Sequence, residues 1–405
     1  MIATRRILIT GATGFIGTRV CERLHQAGVP VRALVHSGSR AARIVHLPIE
    51  TVTGDLCDKT FLREALKECD AVVHLAKGGR SDIVLATRNL VAAAARRGVS
   101  RFIHMSTTAV YGLDPPDTLQ SEREPLKNVG ESYCDWKIDA ENAVWAGIRR
   151  GLPGVILRPC IVYGPHSRWN INMVEKLAKG DYRLVNEGRG WCNTVYVDNL
   201  IDAIEASLHR PAAIGEAFFI TDEKPITWRE FAEAHAALLT PSPRVGTITR
   251  EEVEAFYRAQ GGLLRRSTRP FLSLLISPEL RDTLKTVPLF EYVLKSIGQR
   301  ITPSQKTAIK GLARRDADVP KRTVDVPDMV TTMIQSCQVR FSSEKAGRLL
   351  EYVPRVSFTE GMKRTERWLA WAGHLRDARS RACVGSVPAA HQEFVTCRAG
   401  NGGAA

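Results

Sequence analysis

Short runs of β-branched and other apolar residues alternate, through the first half of the chain, with longer Ala- and Leu-rich stretches. That is the pattern of βαβ units around a parallel sheet. The runs predict strands at Arg6–Thr10, Val31–His36, Glu50–Thr53, Ala71–Leu75, Arg101–Met105 and Val155–Arg158. The stretches between them predict helices at Ile16–Ala27, Lys59–Lys67, Ile83–Arg97 and Glu131–Arg149, and Ala27-Gly28 and Arg97-Gly98 carry the glycine that commonly stops a helix. After Gly164-Pro165 the alternation weakens, with helices predicted at Ile171–Lys179 and Asn199–His209. The expected fold is α/β: a Rossmann-type doubly wound parallel sheet, with a smaller, mainly helical C-terminal substrate domain.

The boundaries that follow are 1–165 for the sheet domain and 166–376 for a second region interleaved with the end of the sheet. Within the second lies an insertion at about 241–330 that departs from the α/β rhythm. It holds 16 Lys and Arg against 10 Asp and Glu, with apolar ridges at Phe271–Ile276 and Val287–Phe290. Such a segment suits a lid, a dimer face, a contact with a membrane surface or plain packing on the main domain. Residues 377–405, rich in Ala, Gly and Ser, have the composition of a disordered tail.

Composition narrows the partners. With 44% hydrophobic and 25% charged residues the 405-residue chain reads as soluble and globular, and no apolar run approaches the ~18 residues of a membrane span. Arg5-Arg6 and the apolar run behind it read as a first strand, not a signal peptide, because the run passes straight into a glycine turn. The nine cysteines show no C-x-x-C or repeated spacing, which argues against a zinc site or a disulfide framework and for reduced thiols in the cytoplasm. A net charge of +14 is spread out, without the basic and aromatic clustering of a nucleic-acid binder. It fits an anionic small-molecule ligand, peripheral contact with an anionic membrane, or a merely solvated surface.

Two local patterns carry chemistry. Gly11, Gly14 and Gly17 in Thr10-Gly11-Ala12-Thr13-Gly14-Phe15-Ile16-Gly17 follow the strand Ile7-Leu8-Ile9 directly. In a G-x-x-G-x-x-G turn the glycines permit the sharp exit from the strand, close approach of backbone N–H groups to a pyrophosphate, and tight helix packing. The second predicted strand ends in His36-Ser37-Gly38-Ser39-Arg40, without the carboxylate that would accept a ribose 2′-hydroxyl. His36 and Arg40 instead favour NADP(H) over NAD. Asp55, in Gly54-Asp55-Leu56, suits either an adenine amino group or the N-cap of the next helix. Farther on, Tyr133 and Lys137 lie four residues apart and share a helix face, where an ammonium favours the phenolate. A hydroxyl cluster, Ser106-Thr107-Thr108, ends the strand Arg101–Met105, the edge of an open sheet at which ligands sit.

With Val73-His74-Leu75-Ala76, Ser106–Gly112, Leu157-Arg158-Pro159, Val162–Pro165 and Val195–Asn199, these motifs resemble the extended short-chain dehydrogenase/reductase family, in its NAD-dependent epimerase/dehydratase branch. The likeness spans about residues 5–235 and resumes at 339–373. It implies that Tyr133 is the general acid/base, that Lys137 tunes it and holds the nicotinamide ribose, and that Thr107, four residues before Tyr111, orients the substrate oxygen. It also implies cofactor contacts at Gly11, Thr13, Gly14, Phe15, Ile16, Gly17, His36, Arg40, Asp55, Leu56, Leu75, Ala76 and Lys137, with no metal.

Departures from the family pattern narrow the reaction. Thr108-Ala109 stands where sugar dehydratases carry Asp-Glu, which argues against elimination. The family's Asn on the fourth helix, upstream of Thr87-Arg88-Asn89-Leu90, has no clear match among Asp82 and Ile83. Arg158-Pro159-Cys160-Ile161 replaces the Arg-Tyr-Phe-Asn of many UDP-hexose epimerases. The leading expectation is an oxidoreductase or epimerase acting on a secondary alcohol of a sugar, in this branch most often a nucleotide sugar. The alternatives are a 3β-hydroxysteroid-type dehydrogenase or other reductase of a lipophilic substrate, and a non-catalytic dinucleotide sensor. Related enzymes form homodimers through helices like Ile83–Arg97 and Glu131–Arg149, and the same is expected here.

Overall fold

The computed structural model describes residues 6–78, 81–130, 132–222, 224–264 and 326–375. The ridges Phe271–Ile276 and Val287–Phe290 and the tail from Asp377 lie outside them.

Seven parallel strands form the central sheet: β1 (Arg6–Thr10), β2 (Val31–Val35), β3 (Glu50–Thr53), β4 (Cys69–His74), β5 (Arg101–Met105), β6 (Gly154–Pro159) and β7 (Ala217–Ile220). Their order is β7-β6-β5-β4-β1-β2-β3. The sheet is doubly wound, and the order reverses between β1 and β4, where Thr10 sits opposite His74. Helices cover both faces, so β2, β5 and β6 are buried along their whole length and read as apolar runs rather than alternating ones.

On one face α1 (Phe15–Gln26), α6 (Val197–His209) and α10 (Glu344–Leu350) supply Val20, Leu24, Leu200, Ile204 and Leu350 to a core with Ile7, Ile9, Val73 and Ile103. On the other, α2 (Lys59–Ala65), α3 (Ala86–Arg97) and α4 (Ser132–Ile148) bring Leu62, Leu90 and Val144 against Leu8, Val72 and Phe102. Beyond β6, α5 (Arg168–Ala178) and α7 (Trp228–Ala236) build a third cluster, in which Met173, Leu177, Trp228 and Phe231 surround Tyr163 and Tyr196. The remaining helices are α8 (Arg250–Leu264), α9 (Met329–Ser336) and α11 (Phe358–Trp371).

Three of the six predicted strands have the expected ends, and the others differ by one or two residues. β2 stops at Val35 and leaves His36 exposed, while β4 begins at Cys69 and ends at His74. The helix expected from Ile83 opens as a wider π turn over Ser81–Leu85 and becomes α-helical at Ala86, and Gly98 stops it in the left-handed conformation with φ of 72°. A seventh strand, β7, is not among the predicted elements. Its Ala217-Phe218-Phe219-Ile220 is a four-residue buried run with no period, and it reaches β6 only after a long excursion through the third cluster.

Three histidines are buried and neutral. Thr87 donates to the Ile83 carbonyl, so its oxygen accepts the Nε2–H of His74 at 2.9 Å, and His74 Nδ1 accepts from Thr10 at 2.7 Å. Burial holds His74 down to about 3 and His235 to about 4, with Lys137 adding to the depression at His74. Burial likewise holds His104 well below the ordinary histidine range. Below pH 6.5 the unfolded chain binds three protons that the native state refuses, so stability falls with acid at about 1.4 kcal/mol per pH unit for each. Asp222 works in the opposite sense, since burial lifts its carboxyl to about 6. The expected net loss is about 2–3 kcal/mol per unit between pH 6 and 4.5. Urea unfolding at several pH values measures it, and a flat profile would mean that these histidines are protonated in the native state.

Candidate active site

The glycine turn lies where the sheet order reverses, and packing forces its composition. Gly11 has φ of 69°, and a Cβ there would sit 2.7 Å from the Leu75 carbonyl group and 2.8 Å from the Ala76 nitrogen. At Gly17 a Cβ would fall 2.1 Å from the Gly11 oxygen, so only hydrogen lets α1 close on the turn. The helix starts at Phe15 with Gly14 as N-cap, without a side-chain cap and without an acid in its first turn. Its first N–H groups and positive dipole end are left for an anion. Thr13, Phe15, Ile16, Leu75 and Ala76 are half-buried around this crevice, and Gly14 is exposed at its floor. These residues fit the pyrophosphate of a dinucleotide.

The structure separates the two readings of Asp55. Asp58 is the N-cap of α2, accepting from the backbone of Thr60 and Phe61, whereas Asp55 accepts only the Cys57 N–H at 2.8 Å and stays exposed beside half-buried Leu56. It does not cap the helix. The Arg40 side chain lies outside the described residues, but its backbone belongs to a 3-10 turn over Gly38–Arg43. From that turn Arg43, which pattern reading missed, borders a cavity of about 470 Å³ along the outer face of α1. Arg19 and Arg364 also line it, each tied to Asp198. Arg43 has no acid partner among the described residues, and His166 opposite is pushed down by burial and by the Arg43 charge.

Across the strand ends, α4 carries Tyr133, Lys137 and Glu141 at successive four-residue steps on one face. Lys137 is buried and donates to the Met105 carbonyl at the end of β5, at 2.9 Å. Burial pulls its ammonium down to about 8, with Glu141 favouring the charge and Lys77 opposing it. Tyr133 is half-buried at the cleft, with the Lys77 Nζ 5.2 Å from its ring centroid. Thr107 opens the turn over Thr108–Tyr111 and accepts the Ala109 N–H at 3.2 Å, which leaves its hydroxyl hydrogen available to a ligand. Thr107 is therefore the local cap. Ser106 is buried, and among the described residues its hydroxyl has no partner.

Glu141 and Arg158 form a pair that neither motif nor spacing announced. The two carboxylate oxygens of Glu141 accept from Nε and Nη2 of Arg158 at 3.0 and 2.6 Å, with side chains 0% and 2% exposed. Arg158 also donates to the Tyr111 hydroxyl and to the Glu122 carbonyl. The catalytic-type helix is thereby fixed to β6 and to the loop behind Thr107. The Asp82 side chain lies outside the described residues.

A glycine turn at the reversal of a doubly wound sheet, faced by a Tyr–Lys pair across the strand ends, defines a Rossmann-type dinucleotide-dependent enzyme. The model of the NAD dependent epimerase/dehydratase family matches residues 7–220. The chain belongs to that family, of the extended short-chain dehydrogenase/reductase type. It is 28% identical over 296 residues to the 2-alkyl-3-oxoalkanoate reductase of Stenotrophomonas maltophilia (strain K279a), across 68% of this chain and 89% of the relative. To the N-acetyl-alpha-D-glucosaminyl-diphospho-ditrans,octacis-undecaprenol 4-epimerase of Escherichia coli O157:H7 it is 29% identical over 248 residues, across 57% of this chain and 72% of the relative. The UDP-glucuronic acid 4-epimerase of Bacillus cereus, solved with UDP-glucuronic acid and NAD, superposes with a TM-score of 0.61 at 19% identity, across 91% of this chain and 99% of that one. At that identity the likeness is one of fold. Among the described residues no helix is long and apolar enough to cross a membrane, and no cluster of side chains suits a metal ion.

Glu141→Ala leaves the Arg158 charge buried and unpaired, a loss of about 3–5 kcal/mol. Urea denaturation measures it. Replacing both partners, with Arg158→Met and Glu141→Leu, is expected to destabilise less than the single change, and the reverse order would refute this account of the pair.

Proposed function

We propose that the protein is an NAD(P)-dependent oxidoreductase that interconverts a ketone and a secondary alcohol, and that its substrate is a 3-oxo or 3-hydroxy compound with an apolar body. One observation supports the reaction: Lys137, one helical turn from Tyr133, donates to the Met105 carbonyl at the end of β5, the strand that Ser106 and Thr107 follow. A bound nicotinamide supplies or accepts the hydride. Thr107 donates to the substrate oxygen and fixes its direction. Tyr133 gives that oxygen a proton in reduction and takes it back in oxidation, and the Lys137 ammonium favours the phenolate that is left. Lys137 is anchored on Met105, one helical turn from Tyr133 on the same helix face.

The substrate reading is supported by the segment after β6. Where many UDP-hexose epimerases carry Phe-Asn, this chain has Cys160, whose thiol burial pushes far above its ordinary range, and Ile161, an apolar residue in place of the Asn, packed on the third cluster. The name of the Stenotrophomonas relative, which the chain matches over most of that protein's length, points the same way. A nucleotide sugar is the second reading, favoured by the undecaprenol-linked epimerase among the relatives. For the cofactor, the absence of a carboxylate after β2 and the unpaired Arg43 favour NADP(H) over NAD.

Tyr133→Phe is expected to lower kcat by about 10²–10⁴ while the stabilisation by bound cofactor is kept. Turnover of 3-oxo esters and of UDP-, GDP- and dTDP-sugars by the wild type separates the substrate readings, and activity on sugars alone would overturn the first. A larger rise in melting temperature with NADPH than with NADH is expected, and the opposite order would refute the role given to Arg43.

A further inference from the structure

A second lysine faces the tyrosine. Lys77 lies three residues beyond β4, and its Nζ stands over the Tyr133 ring at 5.2 Å from the centroid. It is exposed, and among the described residues no carboxylate pairs with it. Its charge acts instead on a like charge, disfavouring the Lys137 ammonium. The one carboxylate that favours Lys137, Glu141, is held by two nitrogens of Arg158. Lys77 therefore stands over the ring of Tyr133, itself one helical turn from Lys137, and among the described residues no acid is paired with it. In the reductive direction Tyr133 must carry its proton, so its own phenolate cannot relieve the repulsion. An anion on the ligand can.

The geometry limits where that anion sits. A carbonyl oxygen hydrogen-bonded to Tyr133 and Thr107 places the substituents of its carbon beside the tyrosine ring, within the sweep of a flexible four-carbon lysine stem. An acid group one or two carbons away would come within reach of the Lys77 ammonium, which stands 5.2 Å from the ring centroid. A distant one would not. We propose that Lys77 is an anion-recognition residue of the substrate cleft, and that the substrate carries a carboxylate or phosphate one or two carbons from the carbon that exchanges the hydride. The inference rests on the reading of Tyr133 as the proton donor, and it narrows the 3-oxo class to acids.

Binding by the full chain loaded with NADPH or NADH, which cannot accept a hydride from a 3-hydroxy probe, followed by calorimetry, tests it without turnover. The probes are 3-hydroxydecanoate, its methyl ester and 3-hydroxydecyl phosphate, which distinguish a carboxylate from a phosphate. The wild type is expected to prefer one of the anions over the ester by about tenfold or more, as a charge-assisted hydrogen bond gives. Lys77→Met should abolish that preference, Lys77→Arg should restore part of it, and added salt should weaken it. No preference in the wild type, or an undiminished one in Lys77→Met, overturns the proposal. So does a Lys77→Met variant whose loss lies in cofactor affinity, because Lys77 would then serve the dinucleotide phosphates. A wild type that binds the acid through Lys77 yet transfers no hydride would sink the proposed reaction and leave the anion site standing.

Discussion

The buried pair of Arg158 and Glu141 sets the geometry on which the rest of the site depends. One carboxylate and one guanidinium, both almost sealed from water, can persist only when their hydrogen bonds are satisfied together. Satisfying them brings α4, β6, the Tyr111 ring and the Glu122 carbonyl to one point. Because Glu141 is two helical steps from Tyr133, fixing one end of that face fixes the other. The tyrosine and lysine then stand over the ends of β5 and β6 by construction, and Lys137 needs only the Met105 carbonyl to complete its anchorage.

A second constraint lies across the crevice. Gly11 is pressed against Leu75, and Thr10 is bonded to His74, so the ends of β1 and β4 are locked at the reversal of the sheet. His74 reaches on to Thr87 at the start of α3, making one neutral imidazole the bridge between two strands and a helix. The glycine turn is thus held from behind by a polar chain that excludes water, and α1 presents its uncapped end at a fixed place. Both sides of the crevice owe their rigidity to buried polar groups, while apolar burial supplies the bulk of the packing.

The C-terminal half is tied in by the same means. Asn199, fully buried in the first turn of α6, donates to Asp222 and to the Val356 carbonyl and accepts from the N–H groups of Arg355 and Val356. Asp222 in turn accepts the Tyr196 N–H just past the end of β7. The chain leaves the sheet after β6, builds the third cluster, and is then stitched back to the sheet edge and to the approach of α11. Asp198, next in sequence to Asn199, is buried and collects Arg19 and Arg364 at the cavity beside α1.

The sequence by itself determined the elements whose physics is local. Repeated apolar runs set the first six strands, the four-residue spacing set the face shared by Tyr133 and Lys137, and the glycines set the turn, because each depends on neighbours a few residues away. Resemblance supplied Thr107 and the roles of the site. What the sequence could not settle were contacts between residues far apart along the chain. β7 is four apolar residues without a period, and only pairing with β6 makes it a strand. Glu141 and Arg158, Lys77 over Tyr133, and Arg43 near His166 are each separated by loops whose course no pattern encodes. Asp55 suited a cap on paper, and the folded chain places Asp58 there instead. Charge acts through space and burial, and both exist only after the chain has folded.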